Sequence, residues 1–174
     1  MCKQNHPLVQ LARAAIEAYV RDGRRVSPEE APAPITGAPA GVFVTLHSRS
    51  TGDLRGCIGT IGPTEPTLAQ EVINNAISSA TRDWRFYPVS PAELDDLEIE
   101  VSVLYPPEPI SSLAELNPKE YGVIVQRGGQ RGLLLPDIEG VDTAEAQVRI
   151  ARQKAGIGPH GAVRLYRFRV EKYT

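Results

Sequence analysis

The spacing of apolar residues predicts three amphipathic helices. Apolar positions recur every three or four residues along Pro7–Asp22, and Gly23 follows as a C-terminal stop. A second stretch of this kind covers residues 66–81 and is opened by a proline and a threonine. A third covers residues 142–155, beginning with the capping sequence DTAE and ending before Gly156. Each pattern is typical of an amphipathic helix with one apolar side.

Alternating apolar and polar residues predict strands that form two hairpins. The segments Gly41–Ser48 and 54–61 are joined by the turn sequence RSTGD. The segments YGVIVQ and RGLLLP form a second pair that turns at Gly128 and Gly129. Between the hairpins, residues 97–105 predict a single strand, which PPEPI ends. Its expected inward residues are Leu97, Ile99, Val101 and Val103, and its expected outward residues are Glu98, Glu100 and Ser102.

Irregular segments connect these elements. Residues 24–41 contain four prolines and form either a linker or an extended strap across the domain, of which we favour the strap. The sequence SPAE at 90–93 predicts a capped helical turn, and a second turn is expected near residues 113–116. The final segment, AVRLYRFRVEKY, predicts a closing strand whose apolar face switches between Leu165 and Tyr166. A bulge, or burial on both faces, would explain the switch.

Together these elements predict an α+β fold with a mostly antiparallel sheet and flanking helices. A chain of 174 residues, of which 41% are hydrophobic, can bury one core. Its net charge of −2 gives no general positive field and disfavours nonspecific nucleic-acid binding. No apolar run reaches the length of a membrane helix. Cys2 and Cys57 are too few for a disulfide framework, so we expect a cytoplasmic protein with reduced thiols.

The strand LRGCIG, residues Leu54–Gly59, carries the clearest chemical signal. Alternation sends Arg55, Cys57 and Gly59 to one face, with Arg55 and Cys57 roughly 6–7 Å apart along the strand. A guanidinium at that range favours the thiolate form of a cysteine. The two glycines weaken a strand, which is tolerated where something approaches the backbone closely or where a bulge is needed.

The pairing of this strand with Gly41–Ser48 decides which side chains join the thiol. The register that separates polar from apolar residues best places Thr45 and His47, with Phe43, beside Arg55 and Cys57. The opposite, core face would then hold Val42, Val44, Leu46, Leu54 and Ile58. Such a polar face contains the parts of a nucleophile or of an anion-binding site. The alternative is a small buried cysteine with Arg55 in a structural ion pair.

These residues also carry a family resemblance. LRGCIG, the later segment TRDWRFYPVSPAELDDLEIEVSVL, YGVIV, LLLP and RLYRF resemble the AMMECR family, named after the AMME-syndrome chromosomal region, over about residues 41–173. We therefore interpret residues 1–174 as one such domain, in which residues 1–40 supply the first helix and the proline-rich strap. The resemblance implies an α+β fold with two lobes around a cleft. It also implies a place in the AmmeMemoRadiSam system beside Memo-like and radical-SAM proteins.

The family motif extends beyond the hexapeptide to Asp83, Arg85, Phe86, Pro88 and Pro136. Asp83 follows a helix end, where a carboxylate is unfavourable, so it is expected to have a cationic partner in Arg55 or Arg85. An Asp83–Arg55 pair would hold the guanidinium over Cys57. An ordinary ion pair that ends the helix is the alternative.

The resulting hypothesis is an enzyme or enzyme component, with a non-catalytic binding or adaptor module as the alternative and a nucleic-acid binder as a weaker one. The candidate catalytic residues are Cys57 as nucleophile, Arg55 and His47. The candidate ligand-binding residues are Thr45, Gly56, Gly59, Asp83, Arg85 and Phe86. No cofactor is assigned, and the three histidines lack metal-binding spacing. Trp84 and Phe86 either stack a ring ligand or belong to the core, and we favour the core.

Overall fold

The computed structural model describes residues 6–174, which divide into two compact units. The first unit consists of the residues up to Val103 together with Glu171–Thr174, and the second unit is Leu104–Val170. Helices and antiparallel sheets are mixed in the chain, which confirms the predicted α+β class. Among the described residues, no helix combines the length and the apolar character needed to cross a membrane.

The helices and strands follow one another in a simple order. In the described chain they are α1 (Pro7–Asp22), β1 (Gly41–Ser48), β2 (Leu54–Gly59), α2 (Leu68–Thr81), β3 (Leu97–Leu104), β4 (Glu108–Ile110), β5 (Gly122–Arg127), β6 (Gln130–Leu134), α3 (Ala144–Ala155), β7 (Arg164–Phe168) and β8 (Val170–Tyr173). One sheet has the order β2-β1-β3-β8 and the other the order β4-β7-β5-β6. Short 3-10 turns at Pro28–Glu30, Pro91–Asp96 and Leu113–Glu115 interrupt the connections.

Local signals explain why these segments fold as they do. The Thr67 side chain accepts a hydrogen bond from a backbone N–H in the first turn of α2, and Thr143 does the same for α3. Gly23 and Gly156 end α1 and α3 in the left-handed conformation, with φ of 64° and 69°. The core of the first unit is formed by apolar residues of α1, α2, β1 and β3. The core of the second joins α3 to β5 and β6.

PPEPI ends β3 as expected, and Glu108–Ile110 also forms β4, which pairs with β7. Two other expectations about the strands are wrong. The closing strand is two strands that separate at Arg169 and belong to different sheets. Inside β7, Leu165 packs against the core of the second unit while Phe168, on the other face, is also buried, so the switch of the apolar face reflects burial on both faces. Ser102 is buried although it was expected to face outward, because β3 is covered on both faces near its end.

A buried carboxylate fixes the loop that follows β2. Glu71, on α2, accepts hydrogen bonds from the hydroxyls of Thr60 and Thr64 and from the backbone N–H groups of Thr64 and Glu65. Burial alone would raise the pKa of Glu71, but these hydrogen bonds together outweigh burial and hold it below the ordinary value of 4.5. Glu71 therefore stays ionised at neutral pH and ties residues 60–65 to the helix.

Replacing this carboxylate should destabilise the protein. We expect Glu71→Gln to lower the free energy of unfolding by about 1–3 kcal/mol at neutral pH, because its amide cannot accept from all four donors. The folded-state pKa lies below the unfolded value, so the contribution is complete well above pH 4.5 and is lost as the pH falls through the folded-state pKa. Urea denaturation should therefore show a difference from the wild type that narrows in acid. The exposed Glu98→Gln is the control, and an equal loss in both variants would contradict the prediction.

Candidate functional site

The β1–β2 hairpin brings the thiol and a hydroxyl together as expected. Its antiparallel register pairs Phe43 with Gly59 and Thr45 with Cys57. The Thr45 Oγ1 and Cys57 Sγ atoms lie 3.4 Å apart, within hydrogen-bonding distance for sulfur. Among the described residues, the Cys57 Sγ atom makes no other hydrogen bond. The thiol is half-buried and not in a disulfide.

A bulge interrupts the expected polar row beyond this pair. Leu46 pairs with Gly56, but the next residue, His47, pairs with Leu54, so Arg55 has no partner on β1. A one-residue shift sends the following side chains to the opposite face. Leu54 is accordingly 37% exposed instead of lying in the core, and the expected pairing of His47 with Arg55 is wrong.

The two glycines of LRGCIG serve packing inside the first unit. A Cβ on Gly56 would collide with the Ser79 carbonyl oxygen of α2, and one on Gly59 would collide with the Phe43 ring. One expected reason for the two glycines was that another group approaches the backbone closely. The structure shows such groups, and they are Ser79 and Phe43 of this chain. Gly56 is buried against α2, and its assignment as a ligand-binding residue stays a prediction.

Asp83 and Arg85 act as a clamp on the free edge of β2. Asp83 Oδ2 accepts a hydrogen bond of 2.9 Å from the Cys57 N–H, and Arg85 Nη2 donates to the Cys57 carbonyl over 3.4 Å. Arg85 also donates to both Asp83 carboxylate oxygens, at 3.0 and 2.8 Å. Because β2 lies at the edge of its sheet, the two side chains occupy the place of a neighbouring strand at Cys57.

The clamp decides between the two expected partners of the aspartate. Asp83 is paired with Arg85 and not with Arg55, because the tight turn that follows α2 brings the Arg85 guanidinium back to it. Asp83 is only 4% exposed. The Arg85 guanidinium, against the opposing effect of burial and with help from the Cys57 N–H, holds the pKa of Asp83 well below its ordinary range. The clamp is therefore ionised throughout the physiological pH range.

Arg55 is held by a carboxylate that the sequence analysis did not assign to the site. Its Nε and Nη2 atoms donate to Glu93 over 2.8 and 3.2 Å, and Glu93 also accepts from the backbone N–H and hydroxyl of Ser90. The hydrogen bonds from Arg55, reinforced by those from Ser90 against the effect of burial, lower the pKa of Glu93 to about 2. Arg55 is therefore in an ion pair, as the alternative interpretation expected, and its role at the site stays a prediction. The sequence SPAE at 90–93 indicated Glu93 as part of a helix cap and not as the partner of Arg55.

A depression of about 670 Å³ lies beside these ion pairs. We call it the arginine–aromatic groove, and its lining residues are Arg55, Trp84, Arg85, Phe86, Tyr87 and Pro88. The Phe86 ring contacts both guanidinia, with centroid distances of 5.9 Å to Arg55 and 5.4 Å to Arg85.

Two large aromatic side chains of the groove are almost fully exposed. Trp84 is 90% exposed and Tyr87 is 91% exposed, so the expectation that Trp84 lies in the core is wrong. The turn between them is held by a hydrogen bond from the Phe86 N–H to the Asp83 carbonyl. This turn directs Asp83 inward and leaves Trp84 and Tyr87 in solvent. No simple sequence signal distinguishes them from Phe86, which is half-buried.

The arrangement supports binding more directly than acid–base catalysis. Neither His47 nor a carboxylate is hydrogen-bonded to the Cys57 thiol in the described residues, so the base that usually activates a nucleophile is not in contact with it. In residues 6–174, no group of three or more histidine, cysteine, aspartate or glutamate side chains is placed to hold a metal ion. Two fixed guanidinia beside aromatic rings are suited to an anionic ligand.

Removing the carboxylate of the clamp should expose the edge of β2. We expect Asp83→Asn to speed hydrogen exchange of the Cys57 amide by about ten- to a hundredfold, because it loses a charge-assisted acceptor. Exchange is measured by NMR or mass spectrometry at neutral pH. The exposed Asp95→Asn serves as the control. Unchanged exchange at Cys57 in the Asp83 variant would show that the clamp does not protect the edge.

Comparisons with known proteins place the chain in a family. The AMMECR1 family model matches residues 9–173, so the match includes α1 and the proline-rich segment as well as residues 41–173. A protein of Thermotoga maritima is 56% identical over 97% of each chain. Protein CA_C1420 of Clostridium acetobutylicum is 43% identical over 98% of this chain, which spans 36% of that longer protein. The crystal structure of the uncharacterized protein PH0010 from Pyrococcus horikoshii has a TM-score of 0.84 and 37% identity, covering 95% of this chain and 88% of that one. The chain therefore belongs to the AMMECR1 family.

Proposed function

We propose that this protein is a binding module whose arginine–aromatic groove docks an acidic segment of a partner protein. The observation that carries the proposal is the exposure of Trp84 and Tyr87 on a turn held by the clamp. Exposed rings of this size leave a large apolar area in water unless a partner covers them. Tryptophan, tyrosine and arginine are also the residues that contribute most binding energy at protein interfaces.

Unused guanidinium donors favour an acidic occupant. Arg55 and Arg85 each use Nε and Nη2 for a carboxylate of this chain, which leaves the Nη1 donors for a ligand. Asp83 and Glu93 fix the two guanidinia in place, so little side-chain entropy is lost on binding. Because each carboxylate already accepts from its own arginine, an acidic segment meets ready-made donors at both positions.

The same proposal includes partners and a location. The family resemblance makes Memo-like and radical-SAM proteins the first candidates for the docked partner, with this chain as a component of their enzyme system. A cytoplasmic location is consistent with two cysteines in unlike sequence contexts.

Trp84 is the only tryptophan of the chain, so its fluorescence reports directly on the groove. We expect a synthetic peptide that alternates glutamate with leucine to shift Trp84 emission to the blue in a saturable manner. The matched glutamine–leucine peptide should do so at least about tenfold more weakly. Tyr87→Ala and Arg55→Gln should each weaken binding by about tenfold or more, because each removes a central contact.

The control variant is Arg21→Gln, an exposed arginine on α1, which should bind like the wild type. Equal responses to the two peptides would contradict recognition of charge. Full retention of binding in Tyr87→Ala would contradict docking on the aromatic rings. Binding in Cys57→Ala should be unchanged.

A thiol-dependent enzyme is the second candidate. It is favoured by the position of Cys57, whose backbone is fixed by the clamp and whose thiol lies beside the Thr45 hydroxyl. If Cys57 is a nucleophile, iodoacetamide should alkylate it faster than free glutathione at neutral pH, measured by mass spectrometry in a Cys2→Ser background. Thr45→Val should then change the rate. Alkylation slower than that of glutathione would exclude activation of the thiol.

A further inference from the structure

Two arginines and a tyrosine converge in the second unit, and none of them belongs to the arginine–aromatic groove. The β5–β7 register pairs Gly122 with Phe168, which places Tyr121, one residue before β5, beside Arg169. The Tyr121 ring centroid lies 4.4 Å from the Arg167 guanidinium carbon and 4.7 Å from that of Arg169. Both distances fall within the range of cation–π contact. Two of the three arginines of the final segment, Arg167 and Arg169, therefore lie around one ring.

The two guanidinia differ in how their charge is balanced. Arg167 donates from Nε to Glu108 on the neighbouring strand β4 over 3.2 Å, and from Nη1 to the Glu115 carbonyl over 2.8 Å. Arg169 donates from Nη2 to the Tyr121 hydroxyl over 2.8 Å and has no carboxylate partner among residues 6–174. Arg167 therefore has Glu108 in contact and the Glu115 carboxylate nearby, whereas the charge of Arg169 is not paired with a carboxylate of the described residues.

The tyrosine hydroxyl adds a second donor. Because Tyr121 Oη accepts a hydrogen bond from Arg169, its own hydrogen is directed elsewhere, and no acceptor for it occurs in the described chain. The remaining N–H groups of Arg169 and the Tyr121 O–H can therefore meet at one anionic oxygen. Charge-assisted hydrogen bonds of this kind are stronger than neutral ones.

An apolar wall completes the site. The cavity has a volume of about 550 Å³, in the size range of small-ligand pockets. Beyond Glu108, Tyr121 and the two arginines, its lining is Tyr105, Pro106, Pro107 and Phe168. Two consecutive prolines offer rings and no N–H groups, and Tyr105 presents a ring that is 48% exposed. This side of the cavity suits hydrocarbon or a ring and not a second polar group.

We propose that this tyrosine–arginine pocket binds a carboxylate attached to an apolar body, with the carboxylate on Arg169 and Tyr121 and the apolar part against the two prolines. A single negative charge matches the single uncompensated guanidinium. A dianionic phosphate is disfavoured, because Glu108 already occupies Arg167 and would repel the second charge. The ligand is either a free organic acid or the C-terminal carboxylate of a polypeptide.

The test uses phenylacetate and its neutral analogue phenylacetamide with the full chain. We expect phenylacetate to cause saturable NMR shifts of the Arg169 Nε–H and Tyr121 ring signals, with phenylacetamide at least about tenfold weaker. Arg169→Gln should lose roughly ten- to a hundredfold in affinity, and Tyr121→Phe, which keeps the ring, should lose several-fold. Arg164→Gln, an exposed arginine on the same strand β7, is the matched control and should bind normally.

Several results would overturn the proposal. These are equal binding of phenylacetate and phenylacetamide, no saturable NMR shift with phenylacetate, or an unchanged affinity for phenylacetate in Arg169→Gln. Tighter binding of phenyl phosphate than of phenylacetate would also overturn it. The two ligand sources are separated by a peptide ending in phenylalanine, tested with a free and an amidated C-terminus. A preference for the free over the amidated peptide assigns a polypeptide C-terminus, and binding of phenylacetate without that preference assigns a small organic acid.

Discussion

The hydrogen bonds that Asp83 and Arg85 make to the backbone of Cys57 are the interaction on which the candidate site depends. An edge strand normally leaves its outward N–H and carbonyl groups to water or to another chain. Here one residue of that edge is closed by side chains from the turn after α2. The Asp83 carboxylate also accepts a hydrogen bond from the Arg85 N–H and so helps to hold the turn on which Trp84 and Tyr87 remain in solvent. One ion pair therefore closes the sheet edge and also presents the aromatic surface.

Two further carboxylates extend this support on either side. Glu93 holds Arg55 at the bulge, and Glu71 ties down the loop that follows Gly59. All three carboxylates have pKa values below their ordinary range, since each accepts several hydrogen bonds in a buried or half-buried position. The site is thus assembled before any ligand arrives. This is typical of a recognition surface, which gains affinity when little has to be ordered on binding.

Most secondary structure was predictable because its signals are local. The glycine stop at Gly23, the capping threonines and the two-residue turn at Gly128 depend on residues a few positions apart. The errors concern contacts between distant residues. The bulge beside Leu46 reverses the face of Leu54, and the glycines of LRGCIG indicated a bulge as one alternative without giving its position. The sequence left both Arg55 and Arg85 open as partners of Asp83, because the choice between them depends on how the turn after α2 folds back on β2.

The glycine at position 56 also bears on how the hexapeptide motif is interpreted. Its missing side chain is what lets β2 touch the backbone of α2, so any larger residue would have to push strand and helix apart. A glycine here would be required by the fold even in a relative that had lost every partner and every reaction. Recurrence of this glycine among relatives would therefore identify the shape of the protein and not its chemistry. The side chains that differ between relatives around the groove would be the better guide to what each of them binds.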